Sequence, residues 1–200
     1  MDQSDEDLIR DYLAGDESAF AELTRRHLGG VYSFVARYVG NAEEADDITQ
    51  ETFLKAWKNL KKYNQSSSKF KTWLFRIARN SAIDFLRKKK HVPFSQFDTE
   101  GGVNVLTETV ADAEDLPDTL LMKLEDAKEL HATLALLPPR GREILLLYYT
   151  NEFTFEEIGA LLGEPANTVK SRHRRALQSL RKILESNLPA GGQGHAPINR

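Results

Sequence analysis

Ser171, Arg174, Arg175 and Gln178 recur at three- and four-residue spacing, so on a helix they project from one side, with Lys170 and Arg172 flanking them. Guanidinium forks, a hydroxyl and an amide in that order carry the donors that guanine edges and phosphate oxygens accept, and a helix has the width of a major groove. Asn167 and Thr168 extend the polar set at the start of the same segment. Six Lys and Arg lie between Lys170 and Lys182 with no acid among them. A solvated amphipathic helix whose cations serve solubility is the bland alternative. The unbroken basic run and the segment before it weigh against that alternative and towards a DNA-reading face.

The elements needed to hold such a face are written just upstream, in TFEEIGALLGEPANTVKSRHRRALQSLRKIL from Thr154 to Leu184. Thr154 with Glu157 is a capping-box signature, and Phe155, Ile158, Leu161 and Leu162 follow at helical spacing. Gly163 ends that helix, and Pro165 or Asn167 can start the next. Val169, His173, Ala176, Leu177, Leu180, Ile183 and Leu184 form the stripe the second helix must bury, opposite the cations. The pattern predicts a helix-turn-helix.

A second candidate surface lies at Tyr63 to Lys90. A polar loop from Tyr63 to Lys69 leads into a helix whose predicted buried stripe is Phe70, Trp73, Leu74, Ile77, Ala78, Ser81 and Phe85. Arg76, Arg79, Asn80, Ile83 and Arg87 fall on the other side. Basic residues near a helix C-terminus also complement its dipole, so Lys88, Lys89 and Lys90 alone say little. Together with Tyr63, Asn64 and Lys69, the set suits single-stranded nucleic acid, where cations track phosphates and an aromatic or amide group engages an unstacked base.

A third surface is carried by AEEADDITQETFLKAWKNLKKY, which Asn41 and Glu44 open as a second capping box. Ala45, Thr49, Phe53, Ala56 and Leu60 share one face, while Asp47, Gln50, Glu51, Leu54 and Lys58 belong to the polar one. A solvated face carrying a Glu51 to Lys55 pair explains the charges but not a Leu among them. A protein-docking surface explains both. Helical di-metal sites also need Glu-x-x-His pairs, which the chain lacks, so no metal or other cofactor is expected.

Two hundred residues with 40% hydrophobic content support two small domains. Upstream, Leu8, Ile9, Tyr12 and Leu13 mark a short first helix. Phe20, Leu23, His27, Val31, Phe34, Val35 and Tyr38 mark a longer one, with His27 read as a packed residue carrying no chemistry. Residues 1–95 carry 16 basic and 14 acidic side chains, residues 96–128 carry 2 and 9, and residues 129–200 carry 9 and 7. The net charge of −3 is therefore an acidic middle between two parts that can each hold basic surface. That middle, 93–118, has Pro, Gly and Thr but no helical period, and reads as a flexible linker between an N-terminal domain over 1–92 and a second over 119–185. Residues 186–200 read as a disordered tail. No Cys, no signal-like N-terminus and no apolar run near the roughly 20 residues of a membrane span point to a cytoplasmic chain without membrane insertion. Neither a Gly-rich phosphate loop nor a catalytic triad pattern is present, so an enzyme is not expected.

The order of these motifs resembles a bacterial sigma factor of the extracytoplasmic-function group. Region two of that family is matched by AEEADDITQETFLKAWKNL and FKTWLFRIARNSAIDFLRKKK, and region four by LPPRGREILLLYYTNEFTFEEIGALLGEPANTVKSRHRRAL. The resemblance implies an all-α promoter-specificity subunit with core RNA polymerase and promoter DNA as partners, and it leaves an anti-sigma factor open as a third. It implies that Asp47, Gln50, Glu51, Leu54 and Lys58 dock on polymerase. Tyr63, Asn64, Lys69, Arg76, Arg79, Asn80 and Arg87 would engage the minus-ten element, and Asn167, Thr168, Lys170, Ser171, Arg172, Arg174, Arg175 and Gln178 the minus-thirty-five element. The loop from Gln65 to Lys69 departs from the family in being Ser-rich, with neither glycine nor acid. The competing reading is a helix-turn-helix regulator with a helical sensing domain. Such a domain has no reason to carry the basic, aromatic segment from Tyr63 to Lys90.

Overall fold

The computed structural model describes residues 3–90, 132–134 and 136–187, and among these every regular element is helical. Four helices make the N-terminal domain: α1 (Asp5–Leu13), α2 (Glu17–Val39), α3 (Ala42–Asn59) with a 3-10 turn at Leu60–Lys62, and α4 (Phe70–Lys90). The C-terminal domain holds α5 (Pro139–Leu145), a π turn (Leu146–Thr150), α6 (Phe155–Leu162) and α7 (Ala166–Asn187). The acidic segment 93–118 and the first residues of the expected second domain, 119–131, lie outside the described residues.

Local chemistry sets the helix ends. Ser4 and Asp7 form a reciprocal capping box on α1, and Asp16 accepts the Ser18 amide at 2.9 Å to open α2. Gly40, at φ 79°, closes α2 in the left-handed conformation. At Asn41 only half of the predicted box forms. The Asn41 amide oxygen accepts the Glu44 N–H at 3.0 Å, but the Glu44 carboxylate pairs with Lys89 at the far end of α4.

The N-terminal core is built from Leu23, Phe34, Ile48, Leu60, Phe70, Leu74 and Phe75, all fully buried. Each such side chain contributes about 1.5–3 kcal/mol of hydrophobic stabilisation. Helix α1 is fastened by Asp5, which accepts from Arg26 at 2.8 Å and meets His27 Nε2 at 2.7 Å. Burial of the Asp5 carboxyl opposes its ionisation, yet the His27 and Arg26 contacts hold it below the usual carboxylate range. His27, expected to be merely packed, is thus an anchor for the first helix.

In the C-terminal domain, Thr154 and Glu157 complete the predicted box on α6, at 3.2 and 2.9 Å. Gly163 ends α6 at φ 73°. The tight turn also depends on Gly159, where an added Cβ would stand 2.6 Å from the Glu164 carbonyl. Helix α7 begins at Ala166, and the Pro165 carbonyl accepts the amides of Thr168 and Val169, so Pro165 and not Asn167 marks its start. Val169, His173, Ala176 and Leu180 are buried as the stripe requires. The His173 ring lies 4.8 Å from Tyr148 and 5.1 Å from Phe155, an aromatic clamp that the π turn completes with Tyr149.

The two domains pack on each other, α6 against α4 and the π turn against α2, and the apolar core runs through both. One sequence expectation for α4 is overturned. Ile83, placed on the exposed side, is buried, as is Phe75. Helix α4 has apolar neighbours on two sides, so a single amphipathic stripe does not describe it.

Candidate nucleic-acid interface

Helix α7 presents Asn167, Lys170, Ser171 and Gln178 as exposed residues, while Thr168, Arg172, Arg174 and Arg175 are half-buried. Ser171 donates its hydroxyl to the Asn167 carbonyl at 3.0 Å, and Arg175 Nε approaches the Ser171 carbonyl at 3.4 Å. Lys170 lies 5.8 Å from the Phe155 ring centroid. Arg172 does different work from its neighbours. Its guanidinium donates to Glu164 at 3.0 Å, and Glu164 also accepts from Arg140 at 2.7 Å. The turn between α6 and α7 is thereby tied to α5. The basic surface offered outward therefore centres on Lys170, Ser171, Arg174, Arg175 and Gln178.

On α4, Asn80 and Arg87 are exposed, and Arg87 pairs with Asp84 at 3.3 Å. Asn64 is exposed in the preceding loop, where its side-chain oxygen accepts the Ser66 amide at 3.0 Å. Tyr63 is half-buried: its hydroxyl donates to the Ser68 carbonyl at 2.8 Å, and its ring packs edge-on to Phe70 and tilted against Trp73. Burial, with Glu6 and Asp5 nearby, pushes its phenol up to about 12, so it remains a neutral donor. Lys69, Arg76 and Arg79 face the C-terminal domain. They contact Glu157 at 2.9 Å, the Ala160 carbonyl at 2.5 Å and Glu143 at 2.5 Å respectively. Of these three, Arg79 is covered, with 13% of its side chain exposed, whereas Lys69, at 74%, pairs at the solvent-facing rim.

Helix α3 exposes Asp47, Gln50, Glu51, Leu54 and Lys58 together, with Glu51 paired to Lys55 at 2.9 Å. Leu54 is 56% exposed, too open for a core residue. Beside it lies Trp57, 49% exposed, which the sequence reading passed over. Phe20, Thr24, Gln50, Phe53, Leu54 and Trp57 line an open groove of about 490 Å³ between α2 and α3. The signal was available: Trp57 follows Leu54 by three residues on the polar face, and two large apolar groups there have no core to enter. Among the described residues no group of acidic or His side chains is arranged to hold a metal, and no helix is long and apolar enough to cross a membrane.

The Sigma-70 region 2 family matches residues 23–92, and the Sigma-70, region 4 family matches 133–182. The chain is 35% identical over 178 residues to the ECF RNA polymerase sigma factor SigW of Bacillus subtilis, covering 88% of this chain and 94% of that one. Among solved structures, CnrH in complex with the cytosolic domain of CnrY is similar at a TM-score of 0.67 and 25% identity, over 92% of this chain and 99% of that one. RpoE in complex with the anti-sigma factor NepR from Bartonella quintana is similar at 0.62 and 25%, over 84% and 98%.

Proposed function

Since the chain belongs to the ECF RNA polymerase sigma factors and is a promoter-specificity subunit with no catalysis of its own, we propose how its three surfaces divide that work. The α3 face, with Asp47, Gln50, Glu51, Leu54 and Lys58 joined by Trp57 and the α2–α3 groove, docks on core RNA polymerase. The outward side of α7, from Asn167 and Thr168 through Lys170, Ser171, Arg174, Arg175 and Gln178, reads the minus-thirty-five element as duplex. Arg172 holds the turn. Asn64, Lys69, Arg76, Arg79, Asn80 and Arg87 engage the minus-ten element once bases have left the stack, and Tyr63 shapes the loop that carries Asn64. The observation that carries this reading is the solvent-facing Leu54 and Trp57 pair amid charged residues, in the same chain as a basic recognition helix. The protein works in the cytoplasm, where core polymerase and promoter DNA are found, and an anti-sigma factor belongs to its partner set, as the solved relatives bound to such factors suggest.

Reconstitution tests this reading. Purified protein with core polymerase is expected to give promoter-specific transcripts from genomic fragments of its host, and Leu54→Asp to abolish holoenzyme formation in a pull-down while leaving the melting temperature within a few degrees. A Leu54→Asp protein that binds core polymerase normally would remove the docking face from the account. Asn64→Ala with Asn80→Ala is expected to spare recruitment to duplex and to abolish permanganate reactivity of thymines near the start site.

A further inference from the structure

An acid stands at the entrance to the recognition helix. Glu164 lies just before the start of α7, and a carboxylate beside a surface that must meet phosphates repels them. Its side chain is turned inward. One oxygen, Oε1, accepts from Arg140 Nε at 3.1 Å, from Arg140 Nη2 at 2.7 Å and from Arg172 Nη1 at 3.0 Å. Arg140, Glu164 and Arg172 are 11%, 15% and 20% exposed, so this bridge is set into the domain and not laid over it. Both of its ends are fixed. The Glu164 amide donates to the Gly159 carbonyl at 2.9 Å, and Arg140 Nη1 donates to Glu143 at 3.1 Å. The next residue of α5, Gly141, faces Ala176, where an added Cβ would stand 3.0 Å from the Ala176 Cβ. The same turn of α5 therefore holds α7 at two points one helical turn apart, Ala176 by close backbone approach and Arg172 through Glu164.

We propose that Glu164, braced by Arg140, is a positioning residue for reading of the minus-thirty-five element: through Arg172 it fixes the rotation of α7 about its axis, and so which base edges Arg174, Arg175 and Gln178 meet. The inference rests on the reading of the outward side of α7 as the duplex-reading face. The tolerance is small. A rotation of about 20° moves a side chain held roughly 6 Å from the helix axis through about 2 Å, enough to break a bidentate base contact. Arg172, in the middle of the basic run, then acts on DNA through this bridge and not by touching phosphate. The effect of removing the acid has opposite signs under the two accounts of it. As a bare charge Glu164 opposes DNA binding, so its loss tightens binding; as a brace its loss weakens binding and blurs the choice of sequence. A carboxylate that acts through hydrogen bonds is also replaced in part by an amide, whereas one that acts by charge is not.

The test uses the full-length chain in holoenzyme, titrated across salt with a closed promoter duplex and with a copy whose minus-thirty-five element is permuted. Glu164→Ala is expected to weaken binding of the promoter at least fivefold and to narrow the ratio between the two duplexes by a similar factor. Glu164→Gln removes the same charge but keeps an oxygen for the two guanidiniums, and is expected to bind more tightly than Glu164→Ala. Arg172→Met keeps an unbranched stem without the charge; it is expected to narrow the ratio while leaving the slope of log affinity against log salt unchanged. The proposal is overturned if Glu164→Ala binds the promoter as tightly as the parent or more so, or if the Ala and Gln variants bind alike. It is equally overturned if Arg172→Met leaves the ratio unchanged or lowers the salt slope by about one, the mark of a lost phosphate contact. Should Glu164→Ala fail to fold, Arg172→Met decides alone by those two readouts. Failure of the underlying reading has a separate signature: Arg174→Ala and Arg175→Ala would then leave the ratio between the duplexes intact.

Discussion

Helices α4 and α7 are of similar length, and each combines an apolar stripe with a basic side, yet the structure treats the two sides oppositely. On α7 the stripe is covered by α5 and α6, and Lys170, Ser171 and Gln178 reach solvent. On α4, Arg76 and Arg79 are already spoken for by the facing domain. The difference follows the state of the substrate each helix is proposed to meet. Duplex is present before initiation, so a face that reads it can be ready in the free chain. Unstacked single strand exists only after melting, and a permanently open face for it would draw the chain to any exposed strand.

The largest effect that could break this contrast is expected at Glu143. Glu143→Ala leaves Arg79 and Arg140 buried without their shared carboxylate, a loss of roughly 3–5 kcal/mol in chemical denaturation. Gln178→Ala, on the open side of α7, is expected to stay within about 0.5 kcal/mol of the parent. If both cost equally little, the facing domain does not hold α4 as the contacts indicate.

Next in size is duplex recognition. Arg174→Ala or Arg175→Ala is expected to lose about 1–3 kcal/mol of promoter affinity in the holoenzyme and to relax preference at one position of the minus-thirty-five element. Lys182→Ala is expected to weaken binding evenly across sequences and to lower the salt slope by about one. Arg79→Ala should leave closed-duplex binding unchanged, which separates the two helices by substrate. A smaller effect, about 1 kcal/mol, is expected when Thr154→Ala removes the side-chain cap of α6; thermal melting of the full chain measures it.

The elements of the helix-turn-helix were legible because their signals are local. Thr154, Glu157 and Gly163 act on residues three or four positions away, and each does in the structure what its type dictates. The α4 face was legible only in part, because what covers it comes from more than sixty positions later in the chain. A helical wheel places Ile83 beside Arg79 and Asn80 and cannot know that side is also packed. Glu143, set in PRGREIL, reads as an ordinary surface acid of a short helix until Arg79 and Arg140 converge on it. The half-formed box at Asn41 has the same cause: Lys89, distant in sequence, outcompetes the local partner of Glu44. Trp57 was a different kind of omission, visible in the sequence once Leu54 had been judged exposed.

The smallest effect, and the one most diagnostic of the contrast, lies at the solvent-facing rim of the same interface. Partial burial opposes ionisation of Glu157, but the Lys69 ammonium and the Thr154 cap together hold its carboxyl below the usual 4.5. The hydrogen bond and charge of Glu157 raise Lys69 above 10.5 in turn. A depressed carboxyl stabilises the folded form above its ordinary value, and that contribution fades as pH falls through the depressed one. A raised ammonium contributes below its ordinary value and fades as pH rises through the raised one. The rim pair is therefore intact between about 4.5 and 10.5, and it is lost in acid as Glu157 protonates and in base as Lys69 deprotonates. Because Lys69 belongs to one domain and Glu157 to the other, the coupling exists only while the domains touch. Lys69→Ala is expected to move the Glu157 carboxyl midpoint upward towards 4.5 in a carbon-13 NMR titration of the free chain, without changing the Thr154 cap. Glu157→Gln, which keeps an amide oxygen for that cap, should remove this acid-dependent loosening. A Glu157 midpoint indifferent to Lys69 would mean that α4 is as open in the free chain as α7.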